Sequence, residues 1–127
     1  MIMRIWHGMT QEKRGDEYFE YIMKTGVKFY RAQEGNGGVF VLRQIKDGIA
    51  DFLLLSLWDS PESIRKFAGP EIDKAVYNFP EDREFLLDME PYVRHYDLLA
   101  GFVNRKGHEN PSGFDDPTCD LVLIERR

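Results

Sequence analysis

The sequence has a single cysteine, no long apolar run and no excess of basic residues. Cys119 alone cannot form an internal disulfide or a cysteine metal cluster, and such sparse use of cysteine is typical of the reducing cytoplasm. No apolar run approaches the roughly 18 residues that a transmembrane helix needs. Residues 1–7 are too few and too mixed in character for a signal peptide. We therefore expect a cytoplasmic protein without a membrane partner.

The formal net charge is −5, and this acidic balance argues against a nucleic acid or an anionic membrane as a partner. Apolar residues make up 43% of the chain and charged residues 31%, which is the composition of a globular domain and not of a disordered chain. The histidines lack the spacing of a metal motif, and the sequence contains no phosphate-binding loop or nucleophile elbow. We therefore expect neither a metal nor another cofactor.

The first half of the chain predicts a strand, a helix and a hairpin. Residues 3–9 form a short apolar run that contains Trp6, which favours a strand. Thr10 offers a helix N-cap, and the period of the apolar residues after it predicts a helix over residues 11–32. Two strand-like runs on either side of an Asp-Gly turn then predict an antiparallel hairpin over residues 39–58.

The second half predicts a broken helical region, a last core strand and a C-terminal extension. Ser60 followed by Pro61 is typical of a helix start. Glycine and proline residues divide the helical region into three pieces, at residues 60–68, 71–77 and 80–89. The last core strand is predicted at residues 92–102, followed by a polar loop at 104–117 and an extra C-terminal strand at 118–124. Residues 1–102 would therefore form one domain, and residues 103–127 an extension of it.

The predicted order is β-α-β-β-α-β, which is an α+β, ferredoxin-like arrangement with an antiparallel sheet. The strand at residues 50–58 is apolar at both alternations, which indicates burial on both faces. Helices cover only one face of such a sheet. A second copy that stacks sheet on sheet is the simplest cover for the other face, so we expect a homodimer that forms a dimeric α/β barrel.

Three segments carry a resemblance to a known family. They read Arg-Ile-Trp-His-Gly at residues 4–8, Gly-Asn-Gly-Gly-Val at 35–39 and Leu-Trp-Asp-Ser-Pro-Glu-Ser-Ile-Arg-Lys-Phe at 57–67. Over residues 2–100 the chain resembles the antibiotic-biosynthesis-monooxygenase-like family of dimeric α/β barrel proteins. The resemblance implies a pocket between the helices and the sheet of each subunit, on a fold that hosts oxygenases, isomerases and other enzymes.

The resemblance implies a cofactor-independent monooxygenase that acts on a small aromatic or polyketide-like molecule. Such a substrate gives electrons to dioxygen once it is deprotonated, so the protein need only bind it, deprotonate it and exclude water. Haem-degrading relatives carry an asparagine on the first strand, and a tryptophan and a histidine ten residues apart. His7, Phe67 and Tyr77 occupy the matching positions here. Haem degradation is therefore not expected, although a tyrosine can ligate haem.

Two histidines are the candidate catalytic residues. His7 lies on the first predicted strand, and an imidazole has the proton affinity of a base near neutral pH. His95 lies on the last core strand and would be its neighbour if the two strands pair. The alternative for both is a structural role as a hydrogen-bonded strand histidine. No residue is predicted to ligate a metal.

Aromatic residues and one arginine are the candidate substrate-binding residues. They are Tyr30, Arg31, Trp58, Phe67 and Tyr77. Arg31 could hold an anionic or phenolate substrate, or could be a solvated charge at a helix C-terminus. The aromatic residues, with Trp6, could form the walls of a site for a planar ligand, or could belong to the core.

The alternative function is a non-catalytic small-ligand-binding or stress-response dimer. Pocket volume distinguishes the two functions. A cavity of about 300 Å³ or more that touches His7 or His95 favours a ligand site. A pocket closed by Trp58 and Phe67 favours a structural role for these side chains.

Overall fold

The structure is a computed structural model that describes residues 1–104 and 121–124. The strands in this part of the chain are β1 (Ile2–Gln11), β2 (Asn36–Lys46), β3 (Ile49–Trp58), β4 (Arg94–Asp97), β5 (Gly101–Asn104) and β6 (Leu121–Ile124). The helices are α1 (Gly15–Lys24), α2 (Gly26–Arg31), α3 (Pro61–Ala68) and the single turn α4 (Asp82–Phe85). The described residues divide into two compact units, one of residues 2–96 and one that contains residues 97–104 and 121–124 with Met1.

The first unit contains a four-stranded antiparallel sheet in the order β2-β3-β1-β4. The register places Trp6 of β1 beside Leu54 of β3, and His7 beside Leu53. Leu53 in turn lies beside Leu42 of β2. The α+β class is therefore confirmed, and the arrangement is compatible with a ferredoxin-like fold.

The helices pack on one face of this sheet and build the core there. Alternate residues of β3 are fully buried on this face, and Phe52 and Leu54 are two of them. Tyr18 of α1 packs edge-on against Phe52, with ring centroids 5.2 Å apart. On the other face, Leu53 and Leu55 are only partly buried. β3, which the sequence predicts to be buried on both faces, is thus covered by helices on one face and only partly buried on the other.

The predicted helix over residues 11–32 is not continuous, and at its start a 3-10 turn at Glu12–Arg14 precedes α1. Thr10 is not a helix cap but a buried residue of β1, and its hydroxyl donates to the Gln11 carbonyl. The strand continues to Gln11, which pairs with Ile49. The helical segment then breaks at Thr25, whose φ of −116° and ψ of −87° are not helical. Strand pairing outweighed the local capping signal.

The second helical region is also less regular than predicted. Ser60 caps α3 as expected, because its hydroxyl accepts a hydrogen bond from the Ser63 amide. Residues 71–77 form no helix. Lys74 instead forms a β-bridge with Tyr92. The guanidinium of Arg4 donates to the Lys74 carbonyl, which in a helix would accept a backbone hydrogen bond. Of the third predicted piece only α4 forms.

The predicted last core strand is divided. Its first part is β4, and its last part lies in β5 of the second unit, where β5 pairs antiparallel with β6 from Gly101↔Ile124 to Asn104↔Leu121. The predicted C-terminal strand at 118–124 overlaps β6. Cys119 and His108 lie outside the described residues. No helix in the part of the chain that the structure describes is long and apolar enough to cross a membrane.

Candidate functional site

The two faces of the sheet carry different chemistry because side chains alternate along β1. Arg4, Trp6 and Thr10 are buried and point toward the helices, whereas Ile5 and His7 are only partly buried and point the other way. The predicted base and the predicted aromatic wall at Trp6 therefore lie on opposite faces. We call the side that bears Trp6 the helix face and the side that bears His7 the open face.

A cavity of about 40 Å³ lies on the helix face, between the sheet, α1, α2 and the segment before α4. Its lining includes Trp6, Tyr18, Tyr30, Tyr77, Asn78 and Asp82. The volume is far below the roughly 300 Å³ of a typical ligand pocket, and it has room for little more than a water molecule. A haem does not fit it. The cavity is nevertheless rich in aromatic rings and hydroxyl groups.

Hydrogen bonds hold one wall of this cavity. The Trp6 indole donates to the Tyr77 hydroxyl at 3.2 Å, and that hydroxyl donates to the Glu90 carbonyl at 2.6 Å. The two rings meet edge to face with centroids 6.3 Å apart. The Trp6 ring also covers Gly8 so closely that a Cβ at Gly8 would collide with it. Trp6 and Tyr77 are therefore joined across this wall, and Tyr77 lines the cavity.

Asp82 contributes the one carboxyl group among the residues that line this cavity. Burial, and to a smaller extent the charge of Glu81, raises the pKa of Asp82 to about 6. Burial likewise raises the pKa of the neighbouring Tyr18 hydroxyl. A carboxyl group with such a pKa can accept or release a proton near neutral pH.

Sequence reasoning missed Asp82. In the sequence it follows Pro80 and Glu81 and has the ordinary position of an acidic residue in the first turn of a helix. Nothing in that local pattern indicates that the side chain is half-buried beside aromatic rings. Only the packing of α4 against α1, through Phe85 and Tyr18 with ring centroids 5.3 Å apart, reveals it.

Tyr30 and Arg31 have different environments although they are adjacent. Tyr30 is buried, lines the cavity and packs edge-on against Phe67 with ring centroids 4.8 Å apart. Arg31 is exposed and does not line the cavity. The structure thus brings Tyr30 together with Tyr77 but leaves Arg31 outside this group.

Trp58 and Phe67 belong to the core beside the cavity. Trp58 is fully buried, and its indole donates to the Ser56 hydroxyl at 2.9 Å. Its ring lies 5.0 Å from that of Phe67. Neither residue lines the cavity. Their surroundings are those of packed core residues, the alternative that the sequence left open.

On the helix face, His95 lies between the buried guanidinium of Arg4 and the exposed carboxylate of Asp73. Its Nε2 lies 3.1 Å from the guanidinium of Arg4, and its Nδ1 lies 3.0 Å from Asp73. Arg4 is 1% exposed and donates to the carbonyls of Ile72 and Lys74 at 2.5 and 2.7 Å. Burial lowers the pKa of His95, and the hydrogen bond to Asp73 opposes that shift only in part. His95 does not line the cavity and is not a neighbour of His7.

His7 lies on the open face between two carboxylates. Its Nδ1 is 2.6 Å from Glu90 and its Nε2 is 2.5 Å from Asp51. Desolvation acts to lower the pKa of His7, but the hydrogen bonds to Glu90 and Asp51 together outweigh it and raise the pKa. Both ring nitrogens are engaged, so the imidazole has no free lone pair to offer a substrate in this arrangement.

A wider cleft of about 350 Å³ lies beside His7 on the open face. It is lined by Ile5, Leu53, Glu90, Tyr92, Val93 and Arg94 in addition to His7. This cleft meets the volume expected of a ligand site, but it lies on the face predicted to meet a second copy.

No group of three or more histidine, cysteine, aspartate or glutamate residues is arranged to hold a metal ion within residues 1–104 and 121–124.

Comparison of the sequence with protein families and with curated proteins gives no match in either case.

Proposed function

We propose that the chain binds a small, planar, weakly acidic organic molecule on the helix face and exchanges a proton with it through Asp82. The observation that carries this proposal is the placement of one half-buried carboxyl group among the aromatic rings of Trp6, Tyr18, Tyr30 and Tyr77. Aromatic walls suit a planar ligand, and hydroxyl groups can orient its oxygen atoms. Asp82 takes the role that the sequence assigned to His7.

Cofactor-independent oxygenation is the reaction that fits such a site best. Asp82, with its pKa near 6, is mostly ionised at neutral pH and can remove a proton from a phenol or an enolisable carbonyl compound. The resulting anion donates electrons to dioxygen. A carbon atom of the substrate becomes a carbonyl carbon: one oxygen atom of dioxygen enters it, two hydrogen atoms of the substrate leave with the other oxygen atom as water, and the substrate itself supplies all four electrons. The resemblance to the monooxygenase-like family supports this reaction class.

Entry of a ligand requires the cavity to widen. Residues 76–79 form one of its walls, and they belong to no helix or strand. The wall is held chiefly through the Tyr77 hydroxyl, which bonds to Trp6 and to the Glu90 carbonyl. Movement of this segment would enlarge the cavity without disturbing the sheet. We expect binding to break the Trp6–Tyr77 hydrogen bond first.

Calorimetric titration with 2-naphthol at pH 6, in buffers of different ionisation enthalpy, tests the role of Asp82. This probe keeps its own proton at pH 6, so any proton taken up on binding goes to the protein. Binding buries Asp82 further, and we expect proton uptake by the unaltered chain and none by Asp82→Asn. Asp88→Asn is the matched control, because Asp88 is exposed and lies outside the cavity. Binding without proton uptake would remove Asp82 from the proposal.

A second candidate is ligand binding without turnover, in the manner of a stress-response dimer. The small volume of the cavity and its hydrogen-bonded wall favour it. Oxygen consumption with an anthrone, an electron-rich polyketide-like compound, separates the candidates. An oxygenase would consume dioxygen above the uncatalysed rate and lose that activity in Asp82→Asn. Binding with no added consumption would leave only the second candidate.

We also propose that two copies pair through the open face. This face bears partly exposed apolar side chains on three neighbouring strands, and Phe40 and Leu42 of β2 are 41% and 42% exposed. Three strands of about ten residues and the short β4 present about 500 Å² per copy, so pairing would bury about 1,000 Å², close to the lower bound for a specific interface. A flat, pleated apolar surface of this size is best matched by another like it.

A further inference from the structure

We propose that the cluster of His7, Asp51 and Glu90 makes pairing through the open face depend on pH, with pairing favoured while the imidazole holds two protons. This inference rests on the pairing proposed above and adds its regulation. The Glu90 carbonyl also accepts from Tyr77 at the helix-face cavity, but the inference does not rest on the chemistry at Asp82.

The geometry of the cluster is the first reason. His7 bridges two carboxylates that come from different parts of the chain, since Asp51 lies on β3 and Glu90 precedes β4. The side chains of His7, Asp51 and Glu90 are 30%, 43% and 36% exposed, so water still reaches all three. A partner that covers the open face would remove that water. The free energy of pairing must therefore include the desolvation of this cluster.

The surroundings of the cluster are the second reason. Ile5 and Met9 flank His7 on β1, and Leu53 lies beside it on β3. Gln44, which lies beside Asp51 on β2, has no charge. Arg94, the first residue of β4, is the cation that lines the same cleft, and the phenol of Tyr92 also lines it. Because apolar side chains flank the imidazole, a change of one charge in the cluster has a large effect on its desolvation.

The charge of the cluster sets the direction of the effect. With a doubly protonated imidazole between two carboxylates, the cluster has a charge of −1. With a neutral imidazole the charge is −2, and one ring nitrogen can no longer donate a hydrogen bond to its carboxylate. Burying the second state costs more than burying the first. The pKa of His7, already raised in the single chain, must therefore rise further on pairing. Pairing is strongest below the pKa of His7 and weakens as the pH rises through it.

The size of the effect follows from proton linkage. A symmetric pair contains two clusters, so up to two protons are bound more tightly in the pair than in the separate chains. The dissociation constant then rises by up to about a hundredfold for each pH unit at the steepest part of the curve. Partial coupling gives less, and we expect at least about a tenfold increase between pH 6.5 and pH 9.

Sedimentation equilibrium of the full chain at pH 6.5, 7.5, 8.5 and 9 tests this inference. The unaltered chain should show the increase in dissociation constant. His7→Gln keeps a polar side chain of similar size but cannot titrate, so its dissociation constant should change by less than about threefold over the same range. His95→Gln is the matched control because His95 lies on the helix face. It should keep the pH dependence of the unaltered chain, and circular dichroism verifies that each variant is folded.

The outcomes separate this inference from the proposals on which it rests. A chain that pairs equally well at every pH overturns the inference and leaves the pairing intact. Equal loss of pH dependence in His7→Gln and His95→Gln assigns the effect elsewhere and also overturns it. A chain that stays monomeric at every pH overturns both the pairing and its regulation. None of these results bears on proton uptake at Asp82.

Discussion

Asp82 and His7 show how neighbouring groups decide the proton affinity of a single side chain. Burial has the largest effect on Asp82, and with the smaller effect of the Glu81 charge it raises the pKa of Asp82 to about 6. His7 is also partly buried, but two carboxylates reverse the effect of burial and raise its pKa. His7 is thus held between two carboxylates, whereas Asp82, with its raised pKa, is the residue that we propose as the base.

Replacing Asp82 by asparagine should stabilise the protein at neutral pH. The folded-state pKa lies about two units above the ordinary 3.8, so the folded chain binds more protons between about pH 4 and pH 6 and loses stability as the pH rises through that range. Two units correspond to about 3 kcal/mol for a fully buried group, and solvent screening of this half-exposed carboxyl reduces it to about 1 kcal/mol. Urea denaturation should give Asp82→Asn a gain of about 1 kcal/mol at pH 7.5 and almost none at pH 4. An equal gain at both values would contradict the raised pKa.

Replacing Arg4 by methionine should destabilise the fold. Methionine fills a similar volume but leaves the carbonyls of Ile72 and Lys74 without their buried donors, which costs about 2 kcal/mol or more. Arg43→Met is the matched control, because Arg43 forms an exposed pair with Asp16 and should change stability by less than about 1 kcal/mol. Equal effects of the two replacements in urea denaturation would show that Arg4 does not anchor this segment.

At the level of elements, local signals were reliable where they agreed with strand pairing and failed where they did not. The Ser60-Pro61 start of α3 was predicted correctly, because nothing competes for that backbone. Thr10 carries an equally ordinary capping signal, yet pairing with β3 extends β1 past it. Residues 71–77 lack a helix because a distant arginine binds their carbonyls, and a pattern confined to that segment cannot report such a contact.

Removal of the cap of α3 gives a prediction at this level. Ser60→Ala loses the hydrogen bond from the Ser63 amide, and the free energy of unfolding should fall by about 1 kcal/mol. Thermal unfolding followed by circular dichroism measures the change. Ser60→Asp keeps an acceptor at the cap and should retain most of the stability. If the aspartate variant is as unstable as the alanine variant, the hydroxyl does not act as a cap.

For the whole molecule, the sequence predicted the α+β class, but it placed in one candidate site residues that lie on opposite faces of the sheet. The α+β class and the element order of the first unit follow from local periodicity and turn residues, both of which can be recognised in the sequence. Which of two adjacent residues, Trp6 or His7, points toward the helices depends on the register with β3 and on what covers each face. The register and the cover of each face depend on residues far apart in the chain, which no local pattern contains. The sequence therefore placed His7, His95 and Tyr77 in one candidate site, although the structure separates them.

A charge on the open face should prevent pairing. Leu42→Lys places an ammonium group in the proposed contact, and we expect the dissociation constant to rise by at least about a hundredfold because a buried unpaired charge costs several kcal/mol. Leu87→Lys is the matched control, since Leu87 is similarly exposed but lies outside the sheet. Light scattering with size-exclusion chromatography reports the mass. Equal masses for the two variants would place the contact elsewhere or exclude it.

The indole signals of the two tryptophans in a ¹H–¹⁵N correlation spectrum show whether a ligand binds in the cavity that contains Asp82. Trp6 lines the helix-face cavity and donates to Tyr77, whereas Trp58 is sealed in the core and donates to Ser56. Titration with 2-naphthol should shift the Trp6 indole signal saturably and leave the Trp58 signal nearly unchanged. Saturable binding that leaves the Trp6 signal in place would contradict a ligand site at Asp82.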